Sequence, residues 1–212
     1  MNDIDYGELI EKFRDYKSGT YKTMSLKEKM DFLNGVHTEK VAIFDEEGDD
    51  MDTLQDFWDI EDEFLNNPQL FSLNDILSFI NMLDDWCFEL SWMEHVVDII
   101  VNIACFYKIN GIVFLLSNLK NVPDKGRLFG QFRVMQRLLA ENIYPIVKEA
   151  VKQINPSDIM LLLQILEGEP APPTPTKKGE RKHLPKVVGE NASDILKQEN
   201  AELESIILRL LG

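Results

Sequence analysis

Between Lys40 and Lys108 the chain has no lysine or arginine, although the same stretch carries seventeen aspartates and glutamates. Such a lack of cations repels nucleic acid and anionic lipid, so neither is an expected partner. Cysteine is almost absent: Cys87 and Cys105 are too few for a disulfide framework, and each lies in an apolar stretch. Free thiols in a reducing compartment are therefore expected. The opening MNDIDYGELIEKF has neither the basic nor the apolar segment of a secretory signal. Long apolar runs are missing too. The most apolar stretch, 96–119, is broken by Asp98, Asn102, Lys108, Asn110 and Gly111, which is too polar for a membrane span. These absences point to a soluble, cytoplasmic protein.

Motifs that carry chemistry are equally scarce. His37, His95 and His183 have no neighbours at metal-ligand spacing, and the two cysteines form no CxxC. His95, next to Glu94 on an apolar stretch, reads as a hydrogen-bonded boundary histidine, and His183 as a solvated one. The acids around Gly48 invite a calcium reading. An EF-hand loop with Gly48 at its sixth position would begin at Ile43, so the pattern fails. No GxSxG, phosphate-binding loop or GxGxxG occurs. The pairs Asp84–Asp85 and Asp59–Glu63 are what abundant acids produce by chance. The expectation is a chain with no catalytic residues, no metal and no cofactor, hence not an enzyme.

What is present is core material and helical spacing. Hydrophobic residues make up 44% of the 212, with twelve Phe and three Trp, enough for one folded domain. Ile4, Leu9, Ile10 and Phe13 fall on one helical face. Ser25 and Glu28 form a capping box ahead of Leu26, Met30 and Leu33, in a helix read as continuing past Gly35 to Phe44. Ser72 caps a helix bearing Ile76, Phe79 and Ile80. Ser91 and Glu94 make a second box before Val97, Ile100 and Ala104, and Gly111 separates that helix from 112–119. Pro145 kinks or divides the pattern 128–146. Pro156 sits in the first turn of the helix 159–166. The fold class is all-α: multiple helices in antiparallel pairs, compatible with a HEAT-like stack, over residues 1–167. Residues 168–191 read as a proline-rich, basic linker, and 192–212 as a tethered amphipathic helix. There Leu196, Asn200, Leu203, Ile207 and Leu210 make a short coiled-coil seam suited to oligomerisation.

Net charge is −15, and residues 1–66 alone contribute −12. Its focus is DEEGDDMDTLQDFWDIEDEF, 45–64, with eleven acids and no base. On a helix, Met51, Leu54, Phe57 or Trp58, and Leu65 gather on an apolar stripe. Asp52, Asp56, Asp59 and Glu63 form a second, wholly negative one, and nothing on the helix relieves it. Aromatic residues inside a charged rim have the composition of a protein-binding face. The expected face comprises Asp49, Asp52, Asp56, Trp58, Asp59, Glu63, Asp84, Asp85 and Trp86. The bases at 120–137 and 177–186 are expected to pair within the molecule with the acidic helices.

With this acidic run, the segment MLDDWCFELSWMEHVV and its helical pairs, residues 1–167 resemble the small acidic all-α immunity proteins of bacterial polymorphic or contact-dependent toxin systems. That resemblance implies a cytoplasmic antitoxin that binds a cognate toxin, often a basic nuclease, and blocks its active site. The residues themselves leave an alternative open, a helical-repeat adaptor or assembly protein that dimerises or recruits a partner through its terminal helix. A nucleic-acid mimic, or an enzyme with a dispersed site, is the third reading.

Overall fold

The computed structural model describes residues 20–37, 51–84, 90–127, 129–140, 142–166, 169–170, 186–187 and 205. Among them the fold is all-α, with eight α-helices. The chain divides into two compact units, Met1–Asn66 and Asn67–Gly212. The face 4–13, the linker interior, and Leu196, Asn200, Leu203, Ile207 and Leu210 lie outside the described residues.

In the first unit a 3-10 turn, Thr20–Thr23, leads into α1, Leu26–His37, and α2 spans Met51–Asn66. The Ser25–Glu28 capping box is formed as its spacing requires. Ser25 N–H and Oγ donate to Glu28 Oε2, each at 2.7 Å, and Glu28 N–H donates back to Ser25 Oγ at 3.3 Å. Met30, Phe32 and Leu33 are buried on α1; Phe57, Ile60 and Phe64 are buried on α2, which packs on α1.

The second unit is built around α4, Leu90–Phe106, whose Val96, Val97, Ile99, Ile100, Ile103 and Ala104 are buried on more than one side. Against it pack α3, Asp75–Ile80, α5, Lys108–Asn118, α6, Phe129–Leu138, and the 3-10 turn Pro68–Leu70. Ser72 and Asp75 open α3 as a capping box, with Ser72 N–H and Oγ both donating to Asp75 Oδ2. Helix α7, Tyr144–Val151, lies on α5, and α8, Pro156–Leu166, packs on α5 and α6. Both prolines behave as their missing N–H dictates: Pro145 divides α6 from α7 by occupying the first turn of the latter, and Pro156 opens α8. Beyond α8, β1, Glu169–Pro170, pairs antiparallel with β2, Lys186–Val187.

Gly111 departs from its expected role. It lies inside α5, and the break between α4 and α5 comes earlier, at Tyr107 and Lys108, where Lys108 adopts φ 55°. A β-carbon on Gly111 would stand 2.0 Å from the carbonyl oxygen of Ala104. This glycine lets two helix backbones touch; it does not end a helix. Gly126 is similar: its β-carbon would lie 2.4 Å from the Leu83 carbonyl oxygen.

Gly111→Ala and Gly126→Ala are each expected to lower stability by at least about 2 kcal/mol, because backbone cannot move aside as a flexible side chain can. Lys108→Gly should raise it by about 0.5 kcal/mol, the left-handed penalty removed less the entropy of an unfolded glycine. Urea midpoints of the three variants check both statements.

Candidate functional site

The acidic helix α2 decides which of the expected binding residues face solvent. Its buried positions, Phe57, Ile60, Glu61 and Phe64, follow the i, i+3, i+4, i+7 spacing of a core-facing stripe. The helix is thus phased on Phe57, and Trp58, one residue and about 100° further round, is 39% exposed. That choice also sorts the acids. Asp56 lies beside the stripe and is only 3% exposed. Asp59 and Glu63 are partly covered, and Gln55 and Asp62 are open to solvent with Trp58.

Residues 20–37 supply partners to two of the covered acids, Glu63 and Asp59. Lys29 Nζ donates to both oxygens of Glu63, at 2.7 and 2.6 Å, with the lysine side chain 11% and the glutamate 32% exposed. The ammonium lies 5.8 Å from the centre of the Tyr21 ring. Tyr21 Oη donates to Asp59 Oδ2 at 2.8 Å, while Gln55 Nε2 donates to Oδ1 at 2.9 Å. These bonds shape the titration. The Gln55 and then the Tyr21 hydrogen bonds hold the Asp59 carboxyl below its ordinary range. The hydrogen bond to Asp59, then burial and the charges of Asp59, Asp56 and Glu63, push the Tyr21 phenol up.

The expected continuous negative face is therefore corrected. Asp56 is inside, Asp59 accepts from a tyrosine, and Glu63 is paired with a lysine of another helix. Asp84 is also buried, at 6% exposure, carried inward beside Leu83, whose backbone lies against Gly126. Trp58 is the expected residue found exposed. The Asp52 side chain, Asp49, Asp85 and Trp86 lie outside the described residues. Tyr21 and Lys29 were not anticipated. Lys29 did carry a signal, since it falls three residues after Leu26 and four before Leu33, on the apolar face of α1.

In the second unit several bases pair with acids of neighbouring helices. Arg133 and Arg137 of α6 pair with Glu94 of α4, and Arg137 Nε bonds Asp98 at 2.6 Å. Lys120 Nζ lies 2.9 Å from Asp158 Oδ1. The expected intramolecular pairing is present for Lys120, Arg133 and Arg137, with partners on α4 and α8, while 177–185 lie outside the described residues. Among the described residues no three His, Cys, Asp or Glu gather as a metal would require. None of the described helices is long and apolar enough to cross a membrane. Burial pushes the Cys105 thiol up, away from the reactive thiolate.

The Lys29–Glu63 pair should respond unequally to its two truncations. Glu63→Gln strands a nearly buried ammonium and is expected to cost about 2 kcal/mol, whereas Lys29→Met leaves a carboxylate that water can reach and costs about 1 kcal/mol. Equal losses in urea titrations would contradict this. For Asp59, whose folded pKa is lowered, the associated stability is present above the ordinary carboxylate range and lost as pH falls through the folded value. For Tyr21, whose pKa is raised, stability is present below the ordinary phenol range and lost as pH rises through the folded value. Tyr21→Phe should flatten both arms of the stability–pH curve.

Comparison with family models, curated proteins and solved structures returns no match, so the functional reading rests on the residues themselves.

Proposed function

We propose that this chain is a non-catalytic protein-binding module, an inhibitor or immunity protein of the reducing cytoplasm that neutralises a basic protein such as a toxin. One observation carries the reading. The outer side of α2 keeps an exposed tryptophan next to an acid, Asp62, within a 67-residue stretch without a single lysine or arginine. The other acids of α2 that the structure describes are covered or half-covered and serve the fold. A net charge of −15 draws a cationic protein from a distance, and an aromatic anchor gives the encounter a place to dock.

The alternative is an assembly protein acting through Leu196, Asn200, Leu203, Ile207 and Leu210. Its heptad spacing favours it, and removing 193–212 would then lower the oligomeric state seen by light scattering.

The inhibitor reading is tested with the full chain as bait in extract of its native source. The expected result is a basic protein captured stoichiometrically at low salt and released steeply as salt rises. Capture of acidic proteins alone, or capture indifferent to salt, would contradict it. Charge reversal at Asp56 or Glu63 is not a usable control, because those positions report on folding.

A further inference from the structure

Trp58 and Asp62 are one helical turn apart, which places their β-carbons about 5–6 Å from each other on the same face. Trp58 is 39% exposed, and among the described residues its ring meets no other aromatic ring or cation. The Asp62 carboxylate is exposed and likewise without a hydrogen bond or ion pair; only its backbone carbonyl is used, accepting from Asn66. Gln55, three residues before Trp58, is exposed on the same side. The contrast with Asp59 and Glu63 is sharp, since each of those already holds a donor from residues 20–37. A part-exposed indole with an unpaired carboxylate one turn away suits a flat cation that can lie on the ring and direct N–H donors at the acid.

Resting on the reading of a basic partner, we propose that Trp58 and Asp62 form a recognition site for an arginine side chain of that partner. The guanidinium stacks on the indole while its edge donates to the Asp62 carboxylate. Arginine fits better than lysine for a geometric reason. Its planar, weakly hydrated head can cover the ring and still present two parallel N–H groups at its rim. An ammonium is a compact, strongly hydrated point charge and must leave more of its water to do both. The surrounding field attracts either cation equally, so the discrimination that is lost with the Trp58 ring reports on the site.

The test uses the full chain and two fluorescein-labelled probes of equal charge, hexaarginine and hexalysine, with binding read by anisotropy at low salt. Hexaarginine is expected to bind about threefold more tightly than hexalysine. Trp58→Leu, which keeps an apolar surface but removes the π-face, should bring that ratio to about one. Asp62→Asn should weaken hexaarginine about threefold. Asp124→Asn makes the same change in net charge at an exposed acid near Arg127 and should leave hexaarginine binding within error. A ratio that survives Trp58→Leu, or an Asp124→Asn loss as large as that of Asp62→Asn, overturns the proposal. Either result leaves the inhibitor reading standing if the salt-released basic protein is still captured. Loss of that capture would remove the reading on which this site depends.

Discussion

A lysine on the apolar face of a short helix has to find a carboxylate, and in this protein that requirement orders the acidic helix. Lys29 is held with Met30 and Leu33 against α2, and its charge is satisfied by Glu63. That pair and the buried apolar stripe together fix the rotation of α2 about its own axis. Phe57, Ile60 and Phe64 go to the core, Asp56 goes in beside them, and Asp59 comes within reach of the Tyr21 hydroxyl. A run that looks like a uniform negative surface is thereby divided in two. One half meets residues of its own unit. The other, with Trp58 and Asp62, stays open to solvent.

This division explains how dense negative charge is tolerated. Like charges one turn apart on a helix repel by a few tenths of a kcal/mol each. A lysine, a tyrosine hydroxyl and a glutamine amide offset that repulsion along the inner side. The second unit handles charge differently. It interleaves Glu94 and Asp98 of α4 with Arg133 and Arg137 of α6, so both signs are met between neighbouring helices. Among the described residues, then, the acids left open on α2 are few, and their placement matters more than the total.

Much of the scaffold was legible in the sequence because local sterics and hydrogen bonding leave little choice. Ser25 and Glu28 specify a helix start by their spacing, and Pro145 and Pro156 can occupy only the first turn of a helix without breaking it. The helix of 51–66 was legible in existence but not in phase. With Phe57 and Trp58 adjacent, either could lead the apolar stripe, and the two choices differ by about 100°. With that choice open, Asp59 and Glu63 stand in the expected outward face and Asp62 does not. What resolves the phase is a contact from a helix more than twenty residues away, which periodicity within 51–66 does not contain. Gly111 shows the same limit. A glycine between two apolar segments reads as a break, yet its purpose is the approach of Ala104's carbonyl, while the actual break is taken by Lys108.

The central claim is that α2 turns Trp58 outward beside an unneutralised carboxylate. It is tested most directly by quenching the fluorescence of Trp58 alone, in a chain carrying Trp86→Phe and Trp92→Phe. Acrylamide should quench it readily, and a cationic N-methylpyridinium quencher should act more strongly than iodide because Asp62 gathers cations at the ring. A Trp58 shielded from acrylamide, or quenched better by iodide, would mean that α2 is phased differently and that the outward face described above does not exist.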